Sequence, residues 1–141
     1  MDDIIKVGTG LLIIKDGKIL MTKRKSELGS GEYGTVGGHV DFGEHPAAAA
    51  AREAKEELGI EVDNIEFLDC ASVIKYGKHY IDISFTAEMV SGIPEILEPE
   101  KIESVGWYSL DALPGPIFEP VKKIIEAYKT KNNYFEIREE I

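Results

Sequence analysis

The sequence predicts an α/β fold in which a mixed β-sheet is covered by helices on both faces. Three observations lead there. Apolar runs of strand character precede residue 43, one strongly helical stretch follows at 46–58, and a second group of strands then leads to a second helix. The order strands, helix, strands, helix is that of a sheet with a helix on either side.

The elements can be justified in order. Residues 5–14 (I-K-V-G-T-G-L-L-I-I) form an apolar first strand, and Asp16-Gly17 is a hairpin signal. Residues 18–24 alternate apolar and polar side chains as a second strand, and 25–34 (K-S-E-L-G-S-G-E-Y-G) form a polar, glycine-rich loop. A short strand is predicted over 35–42, where the double glycine Gly37-Gly38 signals a bulge or a close backbone approach. Pro46 suits a first helical turn, and the alanine, arginine, glutamate and lysine that follow favour a helix through Leu58. Gly59 is placed to end it in a left-handed cap. Strands over 64–75 and 79–88 flank Tyr76-Gly77-Lys78; a Pro- and Glu-rich loop covers 91–103, and a short strand at 104–108 carries Trp107 and Tyr108. Pro114 and Pro116 interrupt the chain before a last helix over 118–130, with Val121, Ile124, Ile125 and Tyr128 at helical spacing.

Bulk properties narrow the function. A chain of 141 residues suits one compact domain, here taken as 1–141, and 43% apolar with 30% charged residues is ordinary for a globular protein. The net charge of −10 argues against a nucleic-acid-binding surface. If the substrate is a polyphosphate, metal ions or a local basic cluster must offset that charge. The single cysteine, Cys70, allows no internal disulfide, which suits a reducing cytoplasm, and its apolar setting predicts a small core residue. The N-terminal segment holds Asp2 and Asp3 and no long apolar run, so it does not read as a signal peptide, and no stretch approaches a membrane span.

The helix at 46–58 carries the chemistry. At about 100° per residue, Glu53, Glu56 and Glu57 fall within about 100° of one another. Ala47, Ala50, Ala51, Ala54 and Leu58 make a neighbouring stripe of mostly the smallest side chain, fit for close packing on a sheet. Like charges at these spacings destabilise a helix by roughly 0.2–0.5 kcal/mol per pair. Lys55 points away from them, and Arg52 flanks Glu56 from one side. A hard divalent cation relieves such repulsion, and carboxylate oxygens are what Mg²⁺ prefers. The alternative is a solvated acidic face, the usual reading of such a helix.

The surrounding pattern decides between them. From Gly38 the chain reads G-H-V-D-F-G-E-H-P-A-A-A-A-A-R-E-A-K-E-E-L-G-I, which resembles the Nudix box, G-x5-E-x7-R-E-U-x-E-E-x-G-U with U aliphatic. Gly38, Glu44, Arg52, Glu53, Glu56, Glu57 and Gly59 fill its fixed positions, Ile60 fills the last U, and Ala54 fills the first with a smaller residue than usual. At roughly 7% usage per residue such a match arises by chance about once in 10⁸ starts, which sets the solvated-face reading aside. The stretches from Met21 to Glu44, K-H-Y-I-D-I at 78–83 and E-P-E-K-I-E-S-V-G-W-Y-S-L-D-A-L-P at 98–114 are similar to the MutT-type branch acting on nucleoside triphosphates. Thr35-Val36 departs from the Leu-Pro common before the double glycine, which bears on loop rigidity and not on the metal ligands.

The resemblance implies a Nudix-type α/β/α sandwich with a loop–helix–loop motif at 38–60. It also implies hydrolysis of a nucleoside diphosphate linked to another group, with Mg²⁺ as cofactor and Mn²⁺ as a substitute. Glu56 and Glu57 are expected as principal metal ligands, Glu53 as a shared ligand or the base, and the Gly37 carbonyl as a further ligand. Arg52 is expected to orient the glutamates by charge-assisted bonds. Glu44 and Gly59 are expected to support the motif. One more acidic ligand is expected from the 91–103 loop, with Glu98, Glu100 and Glu103 as candidates and Glu100 chosen. Arg24 is the expected phosphate contact, with Gly38 and His39 beside the substrate. His39 more readily serves as a hydrogen-bonded loop residue than as a base. Tyr80, His79, Phe118 and Tyr33 are weaker candidates for the nucleoside pocket, and Trp107 is assigned to the core.

Three functions remain in view. A nucleoside triphosphate diphosphatase, in a role such as nucleotide-pool sanitation, comes first. The same chemistry on ADP-ribose or another nucleoside diphosphate derivative comes second. A catalytically silent nucleotide sensor comes third, and the full set of glutamates argues against it. A homodimer is implied by resemblance only; neither nucleic acid nor membrane is expected as a partner.

Overall fold

The computed structural model describes residues 3–26 and 28–139. Asp2, in the segment read against a signal peptide, and Glu27, in the glycine-rich loop, lie outside them.

The strands are β1 (Ile5–Lys15), β2 (Lys18–Arg24), β3 (Tyr33–Gly34), β4 (Val36–His39), β5 (Glu61–Lys75), β6 (Lys78–Ser91), β7 (Ile102–Ser109) and β8 (Tyr134–Arg138). The helices are α1 (Pro46–Leu58) and α2 (Glu119–Thr130). The sheet runs β3-β2-β1-β6-β5-β8, with β4 also on β1 and β7 also on β2. It is mixed: β1–β6 and β5–β8 are parallel, and the other pairs are antiparallel.

The two faces bury different cores. Leu11, Ile13, Leu20, Val36, Phe85 and Ala87 pack with Ala50, Ala54 and Leu58 of α1. Leu12, Ile19 and Met21 pack with Val121, Ile124 and Ile125 of α2. Consecutive β1 residues thus feed opposite layers, as the two-residue period of a strand requires. Trp107 packs against the α1 layer, in the core where the sequence reading put it.

Helix α1 follows its sequence signals closely. Pro46 opens it, and Gly59 closes it at φ 68° with its N–H bonded to the Lys55 carbonyl. Its buried side is Ala49, Ala50, Ala54, Glu57 and Leu58, whereas Ala51 is half-buried. The helix is therefore rolled toward its glutamates, so that Glu57 faces the sheet. Lys55 points away from them and pairs with Glu61 at 3.1 Å.

The sheet splits where the site lies. β1 and β2 pair only at Ile14–Ile19 and Lys15–Lys18 next to their hairpin. Further along, β1 turns to β4 (Gly8–His39 through Leu11–Val36), while β2 pairs with β7 and β3. A cleft opens between the branches. Several features depart from the sequence reading, among them Tyr33–Gly34, which pairs with β2 inside the stretch read as a loop. β8 adds a parallel edge strand beside β5, over residues for which no element is expected. Cys70, expected as a buried core residue, is only half-buried, because it is paired with Tyr134 near the start of that edge strand.

Candidate active site

The box loop is built by close backbone approach. Gly37 pairs with Gly10, and a Cβ at Gly37 would meet the Thr9 carbonyl at 2.6 Å. A Cβ at Gly38 would overlap the Glu53 carboxylate. The double glycine thus lets the loop lie on β1 while the Glu53 carboxylate rests directly above the backbone.

Arg52 organises the acidic groups. Its Nε and Nη2 donate to the two oxygens of Glu44 at 2.8 and 3.0 Å. Nη1 donates to Glu53 at 3.0 Å and to Glu56 at 3.2 Å, and Nη2 also donates to the His39 carbonyl at 3.0 Å. One guanidinium therefore ties the loop before α1 to two glutamates on it, using the fork geometry that a lysine lacks. The Arg52 contact holds the Glu44 carboxyl down to about 2. Glu44 also accepts from the Asp41 backbone N–H at 3.1 Å, which closes the loop leading into the helix.

Glu57 behaves differently. It is buried, and burial, followed by the adjacent Glu53 and then Glu98, pushes its carboxyl up to about 9. Two carboxyl groups held together away from water cannot both ionise cheaply. Glu53 and Glu57 line the cleft together with Gly37, Gly38 and His39. Glu56 is exposed and turned to Arg52, so it sits on the rim. Among the described residues no group of three or more acidic, histidine or cysteine side chains stands ready to hold an ion. Ligation by all three glutamates would require the Arg52–Glu56 pair to open. The donor set is nonetheless all oxygen, and the Glu53–Glu57 repulsion is of the kind a hard divalent cation relieves.

Outside the box, Arg24 lines the cleft with its guanidinium 3.9 Å from the Phe118 ring centroid. Its Nε donates to the Leu28 carbonyl at 3.1 Å. Phe118 is set there by backbone bonds of the neighbouring loop to Tyr33, at 2.8 and 2.9 Å. His39 Nε2 lies 3.2 Å from the Tyr80 hydroxyl, and their rings stack. His79 is turned away, 3.1 Å from Ser72 Oγ, and Tyr33 packs edge-on against Tyr108. In the 91–103 loop, Glu98 is the acidic residue whose charge reaches Glu57. Glu100 is exposed and does not line the cleft, and Glu103 pairs with Lys23 at 3.2 Å.

Sequence reasoning missed the far end of the cleft. Asp69, Asp82 and Ser84 line it from β5 and β6. The available signal was the alternation of β6, which puts Asp82, Ser84 and Thr86 on one face and Ile81, Ile83 and Phe85 on the other.

This fold and cleft, with the box glutamates at its mouth, agree with the comparisons to known proteins. The chain belongs to the NUDIX domain family, whose model matches residues 5–128, and so to the Nudix hydrolases. A MutT NUDIX hydrolase from Burkholderia pseudomallei superposes with a TM-score of 0.84 at 36% identity, covering 87% of this chain and 97% of that one. The NAD-capped RNA hydrolase NudC of Pseudomonas aeruginosa is 36% identical over 105 residues, 74% of this chain and 36% of that protein. The NUDIX domain of Shewanella oneidensis NrtR, complexed with ADP ribose, shares the fold with a TM-score of 0.74 at 21% identity, covering 93% of this chain and 89% of that one. The chain spans well under half the length of the curated relatives it matches, 36% and 42% in two of them. No helix among the described residues is long and apolar enough to cross a membrane.

Proposed function

We propose that the chain is a Mg²⁺-dependent pyrophosphohydrolase that converts a nucleoside triphosphate to a nucleoside monophosphate and pyrophosphate, in a role such as nucleotide-pool sanitation. The observation that carries this reading is the Glu53–Glu57 pair at the mouth of the cleft, with Glu53 held over Gly38 and bonded to Arg52. Similarity to the MutT hydrolase over nearly all of that chain supports the triphosphate as substrate.

Glu53, Glu56, Glu57 and the Gly37 carbonyl would hold the divalent ion, Mg²⁺ or Mn²⁺ in its place, with an acidic residue of the 91–103 loop completing the set. Glu100 is the residue read from sequence for that position, and the proximity of Glu98 to Glu57 now favours Glu98. When bound, such an ion neutralises phosphate charge and acidifies water. Glu53 takes the proton of the attacking water, whose oxygen bonds to phosphorus as the bridging P–O bond breaks and pyrophosphate leaves. Arg52 and Glu44 hold Glu53 and the loop in place. Arg24 neutralises phosphate oxygens at the cleft wall, and Gly38 and His39 border the substrate.

A second reading is the same reaction on a dinucleotide-like or nucleoside diphosphate derivative. Relatives named as NAD-capped RNA hydrolases, at 36% identity, favour it. Hydrolysis of a panel of nucleoside triphosphates, NAD and ADP-ribose with Mg²⁺, with products separated by chromatography, decides between the two. Turnover of NAD in clear preference to every triphosphate would select the second.

A further inference from the structure

Tyr80 is anchored in a way that His39 is not. The tyrosine pairs with Val73 of β5 and packs against the buried cluster of Ala71, Val73, Ala127, Phe135 and Ile137. His39 is the last residue of β4, and its side chain is exposed. The two rings are nevertheless stacked, with centroids 5.6 Å apart and planes 18° from parallel, a separation that aromatic pairs favour. His39 Nε2 also lies 3.2 Å from the tyrosine hydroxyl.

Strand β1 runs between them and leaves the way open. Gly8 pairs with His39 on one side and with Asp82 on the other, and Tyr80 shares the face of Asp82. With no side chain at Gly8, the histidine ring reaches across one strand to β6.

A single peptide unit carries this contact to the glutamates. The His39 carbonyl accepts from Arg52 Nη2 at 3.0 Å, and the N–H of the same peptide, that of Val40, donates to the Val7 carbonyl at 3.0 Å. The bond to Val7 fixes one edge of the peptide plane. The ring held on Tyr80 fixes the residue that supplies the other edge. The Arg52 guanidinium is planar and rigid, and its remaining nitrogens hold Glu53 at 3.0 Å and Glu44 at 2.8 Å. A turn of the His39 carbonyl therefore turns the whole fork and moves the Glu53 carboxylate with it.

We infer that Tyr80 is a positioning residue for this site: by holding the His39 ring it sets the carbonyl that orients Arg52, and so the place of Glu53, a role that rests on the hydrolase reading. Tyr80 reaches the acidic groups only through the loop and Arg52, so its removal disturbs their geometry and leaves their number and charge unchanged.

The test uses the whole chain as wild type, Tyr80→Ala, Tyr80→Phe, His39→Ala and the double alanine variant. Mn²⁺ affinity is measured by calorimetry without nucleotide, and kcat and KM are measured with Mg²⁺ on the best substrate of the nucleotide panel. Tyr80→Ala and His39→Ala are each expected to weaken Mn²⁺ binding and lower kcat about tenfold with KM within about twofold, the low end for losing a group that orients metal ligands. Tyr80→Phe keeps the ring and should restore both. The double variant should be no worse than either single one, because residues that act as one unit are not additive. His39 is exposed, so His39→Ala reports on the contact even where Tyr80→Ala disturbs the cluster beneath it.

Wild-type Mn²⁺ affinity and kcat in His39→Ala would overturn the inference. So would a raised KM at unchanged kcat, which would make the two rings a substrate wall, and so would losses that multiply in the double variant. No hydrolysis of any panel member by wild type, with Mn²⁺ affinity responding as expected, would overturn the hydrolase reading and uphold the link from Tyr80 to Glu53. Wild type that neither binds Mn²⁺ nor hydrolyses any nucleotide would overturn both.

Discussion

Arg52 grips Glu44 through two parallel hydrogen bonds of 2.8 and 3.0 Å and reaches Glu53 with its remaining nitrogen at 3.0 Å. The loop before α1 and the cleft glutamate are therefore set by one side chain. Arg52→Lys keeps the charge but can supply only one centre. It is expected to lower activity about 10–100-fold, the usual effect of losing a group that orients metal ligands. The circular-dichroism melt should show a folded protein, and a metal titration should show weakened affinity. Wild-type kinetics in this variant would mean that Arg52 serves the loop alone.

Glu57 makes stability depend on pH in an unusual direction. Its folded-state carboxyl is raised from 4.5 to about 9, so between those values the folded chain binds more protons than the unfolded one. The stabilisation is present in full below pH 4.5 and is lost as pH rises toward 9. In chelator, melting temperature should therefore fall across this window, and Glu57→Gln should flatten the trend. Adding Mg²⁺ should restore stability at the alkaline end, and at lower pH, where Glu57 is still protonated, its binding should release a proton. A wild-type profile matching Glu57→Gln would remove Glu57 as the source.

The glycine floor gives a steric test. A Cβ at Gly38 would overlap the Glu53 carboxylate, a side chain that can move aside. Gly38→Ala should therefore fold but displace Glu53 and lose most activity. A Cβ at Gly37 would meet the Thr9 carbonyl at 2.6 Å, backbone that cannot yield cheaply. Gly37→Ala should lose stability as well as activity. Melting and steady-state rates measured on both variants separate the two effects.

These contrasts also show what was legible in the sequence. Helix α1 was readable to its last residue because Pro46, the alanine run and Gly59 act locally, through backbone propensity and capping. The box glutamates were readable because their spacing is a pattern in one helix. The strand β8 was not, because Tyr134–Arg138 follows a helix with no hairpin signal, and its pairing with β5 is long-range and parallel. Glu98 and Glu100 could not be ranked from sequence, because the fold of their loop decides which of them approaches Glu57. Asp69 escaped for a similar reason. A regular strand would place it on the face of Phe67, and the register shift that turns it to the other face is set by pairing with β6.

The small-residue side of α1 predicts a large penalty for added volume. Ala50 and Ala54 are 0% exposed, packed among Leu11, Ile13 and Phe85. Ala50→Leu or Ala54→Leu should destabilise the chain by about 1–3 kcal/mol, since the extra volume forces strain in a filled contact. Urea denaturation of each variant measures this. Unchanged midpoints in both would contradict the packing of α1 on the sheet.

The position of the broken bond tests the proposed reaction most directly. Glu53, Glu56 and Glu57 would hold a divalent ion at the mouth of the cleft, where it would neutralise phosphate charge beside the linkage that breaks. For a triphosphate lying from these glutamates into the cleft, that linkage is internal, so the products should be a nucleoside monophosphate and pyrophosphate. The chain also lacks G-x-x-x-x-G-K-[ST], the loop that cradles terminal phosphates for transfer of the γ group. The reaction should stop in chelator and resume with Mg²⁺ or Mn²⁺, and Glu57→Gln should abolish it without unfolding the chain. Run in ¹⁸O-labelled water, it should place the label in the monophosphate if water attacks the α phosphorus. Label in pyrophosphate would move attack to the β phosphorus and require the nucleotide to lie one phosphate further along the cleft. Orthophosphate with a nucleoside diphosphate as first products would reject the assignment, because the glutamates would then be clamping the terminal linkage instead of the internal one.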